Sequence, residues 1–314
     1  MKTKITLIGV NFYPEDSAIG LYSTQMMEFL SNCNYSIDVI TGFPYYPQWE
    51  IKESYKTKPK FVTEKFGNIN IYRYKQFVPK SPNFFKRIIH LLDFTVGCLF
   101  NLRKIKETDI IIVIVPFTSS IFLGWLLKKK TKAKLWAHIQ DFEFDAALQT
   151  GLSNKKSKGI KKWVFNLIFK LEKWLFSKVD AASSISYLMV EKLKLKLSDK
   201  THAFYFPNWI DTQEIIGLEQ NKHPYLSSNK FKILYSGNIG EKQDWDFFLN
   251  FIDRLDTNTI SVIVVGDGSK KEWLVEKTKN YKIVKHYPPI PYKNLSNLLN
   301  SADLHILFQK EDVI

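Results

Sequence analysis

Two hydrophobic patterns alternate along this chain. One is a short continuous apolar run of strand length, and the other is an apolar stripe at helical spacing. Residues 5–10 form the first run, followed by a polar loop at 11–20 and a helical pattern at 21–32. Residues 36–40 predict a second strand, ahead of an aromatic and proline-rich loop at 42–49, and 70–74 predict a third. A long helical pattern covers 84–106, and the run DIIIVIV at 109–115 is a buried strand. Helix, strand, helix, strand, helix and strand follow at 117–129, 134–139, 159–176, 181–184, 187–197 and 203–206. A polar segment at 217–230, with Pro224 and Ser227-Ser228, reads as a linker. The alternation restarts with strands near 231–235, 260–265, 282–284 and 304–308, and helices at 245–255, 271–279 and 293–300.

Strands separated by helices are the sequence form of a doubly wound parallel sheet. The fold class is therefore α/β, with one unit predicted at 1–210 and another at 225–314. Parallel sheets carry helices on both faces. No helix follows the strand at 304–308, so the second unit is expected to be incomplete.

The second unit opens on KILYSGNIGEKQD, residues 232–244. An apolar strand there stops at Ser236-Gly237-Asn238-Ile239-Gly240, and a helical pattern follows from Trp245. A strand ending in a glycine turn that opens a helix is an anion site, since backbone N–H groups and the helix dipole face the ligand. Lys242 adds a point charge. A plain tight turn is the alternative reading of the same residues.

Charge changes the picture more than composition does. Lys and Arg number 45 against 31 acidic residues, a net +14. Such an excess points to an anionic partner, whether phosphorylated ligand, anionic lipid or nucleic acid. No RNP-type motif, zinc module or recognition helix stands out, so nucleic acid is not expected. Basic residues flank the apolar helices at 84–106 and 161–178, and form runs at 128–134 and 155–162. These stripes are read as core, with an anionic membrane surface as a further partner for the basic patch on the first unit. Cys33 and Cys98 lie in no CxxC pattern, so neither a disulfide framework nor a zinc site is indicated. No apolar stretch reaches the length of a membrane span.

Six short motifs then occur in order: Tyr13-Pro14-Glu15 with Ala18-Ile19-Gly20, His138-Ile139-Gln140-Asp141, Pro207-Asn208-Trp209-Ile210-Asp211, Ser236 to Gln243, Val265-Gly266-Asp267-Gly268, and Ala302-Asp303-Leu304-His305. The ordered set resembles retaining glycosyltransferases of family 4, and more narrowly the colanic-acid-type branch that builds bacterial exopolysaccharide. The resemblance implies the GT-B fold, two Rossmann-like domains facing a cleft. It implies transfer from a nucleotide-diphosphate sugar to a lipid-linked saccharide, without a metal or other cofactor, at the inner face of the cytoplasmic membrane. Two positions depart from the family pattern: Asp244 stands where a Gly is usual, and Asn238 where many relatives carry Arg. Relatives also continue past the position of Ile314, so the chain is expected to be truncated. An inactive, glycosyltransferase-like binding protein is the alternative. A nucleotide-sugar epimerase would require GxGxxG after the first strand, which Ile8-Gly9-Val10-Asn11 does not supply.

On that resemblance, His138, Gln140 and Asp141 are the candidate catalytic residues. Gly20, Gly237, Asn238, Gly240, Lys242, Gln243, Gly266 and Asp267 are expected to bind the donor, and Glu15 and Asn208 the acceptor. Tyr45, Tyr46 and Trp49 are candidates for stacking on sugar rings. Asp16, Glu143 and Asp145 read as caps or solvated loop residues.

Overall fold

The computed structural model describes residues 2–16, 18–81, 84–116, 118–142, 160–210, 212 and 223–311. Glu143, Asp145 and Asp211 lie outside the described residues. The chain forms two compact units, 1–209 and 210–314.

The first unit is built on an eight-stranded sheet. Its strands are β1 (Lys4–Ile8), β2 (Ser36–Gly42), β3 (Phe61–Phe66), β4 (Ile69–Tyr74), β5 (Ile110–Val115), β6 (Lys134–Ile139), β7 (Ala181–Ser184) and β8 (His202–Tyr205). They lie in the order β3-β4-β2-β1-β5-β6-β7-β8. Every pairing is parallel except β3 with β4. The hairpin β3–β4 was not visible in the hydrophobic pattern. β3 alternates exposed and half-exposed residues at the sheet edge, so it carries no apolar run. Its two-residue turn uses Gly67 at φ +55°, a conformation suited to glycine.

Helices α1 (Ala18–Asn32), α2 (Glu53–Lys56), α3 (Phe84–Asn101), α4 (Ser119–Thr131), α5 (Ile160–Phe176) and α6 (Tyr187–Lys194) connect these strands. Strand alternation divides the core in two. Ile111, Val113 and Val115 of β5 pack with Phe94, Leu123, Leu127 and Phe176 on one face. Ile112 and Ile114 pack with Met26 and Met27 of α1 on the other. Helix α3 approaches β4 closely: a Cβ at Gly97 would fall 2.2 Å from the Tyr74 ring. The Tyr74 hydroxyl donates to Asp93 Oδ1 at 3.0 Å, fixing the helix along the strand. The expected helix at 84–106 ends earlier, passing into a 3-10 turn at Leu102–Lys104.

The second unit has four parallel strands, β9 (Phe231–Asn238), β10 (Ile260–Asp267), β11 (Val284–Tyr287) and β12 (Leu304–His305), in the order β11-β10-β9-β12. Its helices are α7 (Trp245–Ile252), α8 (Lys271–Thr278) and α9 (Leu295–Asn300). Ile233 and Tyr235 pack on Trp245 and Phe248 of α7, while Leu234 packs toward Leu226 and Leu298. β12 is shorter than the expected 304–308, and Leu304 and Leu307 are exposed. Among the described residues, no helix is long and apolar enough to cross a membrane.

Both sheets have a topological switch point. In the first, the chain leaves β1 toward β2 and returns to its other side at β5. In the second, it leaves β9 toward β10 and returns at β12. Open parallel sheets bind ligands at the carboxyl ends of strands flanking such a point. The glycine turn after β9 occupies that position in the second unit.

Candidate active site

In the first unit, the loop after β1 is organised by Glu15. This carboxylate is buried, and its Oε1 accepts from the Tyr45 and Tyr46 backbone N–H groups at 2.8 and 2.9 Å. Oε2 accepts from Asn11 Nδ2 at 2.8 Å. Burial raises its pKa above the ordinary carboxylate range, against the lowering effect of those hydrogen bonds. Glu15, expected to contact acceptor hydroxyls, thus clamps the β1 and β2 loops together. Gly20 is explained the same way, since a Cβ there would lie 2.7 Å from Glu15 Cβ. Gly20, expected to border the donor, makes room for the clamp. Of the three loop aromatics, Tyr45 is buried and packs edge-on to Trp49 at 5.4 Å, leaving Tyr46 exposed. Tyr46 lines a depression of about 370 Å³ together with Asp16, Gln48, Lys52 and Lys56.

At the end of β6, His138 and Gln140 share one face of the strand, and a hydrogen-bond chain runs through them. Trp136 Nε1 donates to Ser183 Oγ at 2.8 Å, and Ser183 Oγ lies 2.9 Å from His138 Nδ1. Gln140 Nε2 sits 2.9 Å from His138 Nε2 and donates to Asn208 Oδ1 at 2.8 Å. With the amides oriented this way, His138 carries its proton on Nδ1 and accepts from Gln140. The ring is 1% exposed, and burial pushes its pKa down to about 4. It is neutral at pH 7, and its contact with the surface runs through Gln140. His138, expected to be catalytic, therefore lies behind Gln140 and touches its carboxamide. Asp141 is exposed beside them, its Oδ1 accepting from Phe142 N at 2.9 Å. The chain joins Asn208 to this group, with Ser183 and Trp136 behind it. Sequence reasoning missed those two residues: Ser183 comes opposite His138 only through the β6–β7 pairing, and Trp136, two residues before His138 on the same strand, joins the chain only through Ser183.

In the second unit, the two glycine turns pack directly on each other. β9 and β10 stay paired through Gly237↔Gly266 and Asn238↔Asp267. A Cβ on Gly266 would fall 2.0 Å from the Gly237 carbonyl oxygen, and one on Gly268, at φ +153°, 2.4 Å from the Ile239 oxygen. Ile239 N donates to Asp267 O at 2.8 Å, and Lys270 N to Ile239 O at 2.9 Å. Gly240 N donates to Gln243 Oε1 at 3.0 Å, Trp245 Nε1 to Gly240 O at 2.8 Å, and the Tyr235 hydroxyl to Asn238 O at 2.7 Å.

These bonds occupy part of the turn expected to cradle an anion. The Ile239 and Gly240 amides already serve the loop, and α7 is capped by Asp244, whose Oδ1 accepts from Phe247 N at 2.9 Å. Asp244 therefore has a local role at its unusual position. Buried Gln243 closes the loop through its carboxamide oxygen, so that atom is not directed to a ligand. Asp267 accepts from Gly268 N at 2.8 Å and pairs with Lys271 at 3.3 Å.

Gly237 differs from the other glycines of the pair. A Cβ there would meet nothing nearer than the Tyr235 hydroxyl at 3.5 Å, an ordinary contact. The fold itself therefore places no steric demand for glycine at this exposed position, at the carboxyl end of the central strand. Ser236, Asn238 and Lys242 are exposed around it, and Lys270 stands nearby in the loop, paired with Glu241 at 3.1 Å. Among the described residues, no group of three or more His, Cys, Asp or Glu side chains is placed to hold a metal ion.

The glycosyl transferases group 1 family model matches residues 219–311. The colanic acid biosynthesis glycosyl transferase WcaI of Escherichia coli (strain K12) is 34% identical over 317 residues, covering 98% of this chain and 77% of that protein. Sucrose-phosphate synthase from Thermosynechococcus elongatus superposes with a TM-score of 0.69 at 13% identity, covering 97% of this chain and 75% of that one. Anabaena HepE, solved in complex with UDP and glucose, gives a TM-score of 0.57 at 11% identity, covering 96% of this chain and 73% of that one. The structural likenesses show the fold, and the identity to WcaI over nearly the whole chain shows the family. This chain belongs to the group 1 glycosyl transferases and is a glycosyltransferase of the GT-B fold.

Proposed function

We propose that this protein transfers a glycosyl residue, with retention at the anomeric carbon, from a nucleotide-diphosphate sugar to a lipid-linked saccharide. The product would be an exopolysaccharide of the colanic-acid type, assembled at the inner face of the cytoplasmic membrane. The observation that carries the reading is Gly237, an exposed glycine that its own fold does not require, at the carboxyl end of the strand flanking the switch point. Similarity to WcaI supports the pathway class, and the UDP complex of HepE supports the donor class.

In this reaction the bond from the anomeric carbon to the diphosphate breaks while the acceptor hydroxyl oxygen bonds to that carbon. The hydroxyl proton leaves to a diphosphate oxygen. Negative charge grows on the leaving group, and stabilising it is the main electrostatic task. Lys242 supplies a charge at the rim of the turn, and Gly237 lets phosphate oxygens approach the backbone. Gln140 and Asp141 of the first unit are assigned to the transferred sugar, and Asn208 to the acceptor side through its bond to Gln140. No metal or other cofactor is needed in this scheme. Isothermal titration of UDP and GDP, followed by a transfer assay with the sugar nucleotide that binds, tests it. Binding of one nucleotide without turnover would favour the inactive binding protein, and binding of neither would refute the donor assignment.

A further inference from the structure

Helix α3 is apolar on two faces, and the fold uses only one of them. Leu91, Phe94 and Cys98 are buried against the sheet. On the outside, Ile89, Leu92, Val96 and Phe100 are 53%, 54%, 57% and 54% exposed. Their spacing places them in one stripe roughly 16 Å long. A surface helix ordinarily turns charged or polar residues outward. α4 packs beside α3, and α5 beside α4. On α5 the pattern recurs, with Leu167, Leu171 and Trp174 at 51%, 53% and 38% exposure. Trp125 of α4 bridges toward them, its ring 5.1 Å from that of Trp174.

The charges around this face have one sign at the points of contact. Lys129 Nζ lies 4.1 Å from the Trp125 ring centre, Lys178 Nζ 5.0 Å from Trp174, and the Arg103 guanidinium 5.7 Å from Phe100. Lys170 and Lys173 are exposed on α5. A cation over an indole at the border of an apolar surface suits the headgroup region of a bilayer, where tryptophan is enriched and basic side chains meet lipid phosphate.

We propose that the outer faces of α3 and α5, with Trp125 between them, insert into the headgroup–acyl boundary of an anionic bilayer. The assignment rests on the membrane-surface reading above and deepens it, naming the face and its mode of attachment. The basic residues draw the protein to the surface, and the apolar stripe then enters it. Attachment by charge alone would vanish at high salt, whereas insertion of the stripe leaves a component that salt does not remove.

The test is co-sedimentation of the intact protein with vesicles of phosphatidylcholine alone or mixed with phosphatidylglycerol, at low and high salt. We expect preference for the anionic vesicles, with a measurable fraction still bound at 0.5 M salt, where the Debye length has fallen to roughly 4 Å. Leu92→Glu/Val96→Glu should lower partitioning at least tenfold at both salt concentrations. Phe29→Glu, on exposed α1 against the opposite face of the sheet, should change it less than twofold. Circular dichroism and unfolding temperature check that the variants remain folded. Quenching of tryptophan fluorescence by brominated lipid should accompany wild-type binding. Equal partitioning of wild type and the double variant would overturn the proposal. So would an absence of vesicle binding, or a self-associated state that Leu92→Glu/Val96→Glu disrupts without affecting lipid, which would give the face to a second copy. UDP titration of the same variants keeps the two readings apart. Vesicle binding without UDP binding refutes the donor assignment alone, and UDP binding without vesicle binding refutes the bilayer face alone.

Discussion

Gly237 and Gly266 face each other across β9 and β10, yet alanine at the two positions should have opposite consequences. At Gly266 the added Cβ falls 2.0 Å from the Gly237 carbonyl oxygen and 3.3 Å from Ile239 Cγ1. An ordinary contact begins at roughly 3.4 Å, so the strands must part by about 1.4 Å at that point, against backbone and not a yielding side chain. Overpacking costs about 1–3 kcal/mol, and the strained ladder bond adds about 1 kcal/mol. The total of about 2–4 kcal/mol should lower the unfolding temperature by on the order of 10 °C. At Gly237 the nearest neighbour of the new Cβ is 3.5 Å away, so stability should stay within about 0.5 kcal/mol of wild type. The methyl group would instead stand where phosphate oxygens approach, and UDP affinity should fall about tenfold or more, equivalent to about 1.4 kcal/mol. Differential scanning calorimetry and isothermal titration on the two variants separate these effects. A Gly266→Ala protein that melts with wild type would refute the packing argument. A Gly237→Ala protein that binds UDP as wild type does would show that the turn is not a ligand surface.

Lys242→Ala should weaken UDP or GDP binding by about 1.5–3 kcal/mol, the worth of a charge-assisted contact, with an unchanged unfolding temperature; calorimetric titration reads both nucleotides. Asp244→Ala removes the cap of α7 and should cost about 1 kcal/mol in urea unfolding, whatever it does to the donor. His138, with a pKa near 4 in the fold against about 6.5 unfolded, binds its proton more tightly when unfolded. Its contribution is full above pH 6.5 and is lost as pH falls toward 4, amounting to about 3 kcal/mol at most. Denaturant unfolding at pH 7 and pH 4.5 should therefore show a smaller difference for His138→Gln than for wild type, and nitrogen-15 NMR should find a neutral ring protonated on Nδ1.

Much of the architecture was legible because buried parallel strands have no other way to appear than as runs such as IIIVIV. β3 was not, since an edge strand with one wet side reads FVTEKF and has no run to find. The glycine turn was legible as a turn, while the bonds that hold it were not. Sequence placed Gln243 and the loop amides around an anion, and the fold spends several of them on itself. The contact between Gly237 and Gly266 joins residues 29 positions apart, so no local pattern reveals it. Glu15 shows the same limit: an acidic residue in the loop after the first strand looks like a ligand group until the two backbone amides it binds, 30 and 31 residues away, are seen. Helix α3 was hardest, because it carries apolar residues on two faces and the sequence reads both as core. Only the fold tells which residues are core and which are surface.

The interlocked turns have a consequence for engineering donor choice. Because the carbonyl of Gly237 occupies the space a side chain at 266 would need, and the Ile239 oxygen that of a side chain at 268, the segments 236–243 and 266–270 behave as one cassette. A loop grafted from a relative with different sugar-nucleotide preference will seat only if its partner turn travels with it. Libraries that randomise one turn alone will mostly sample misfolded proteins, and an apparent intolerance of the loop will then reflect the neighbour left behind.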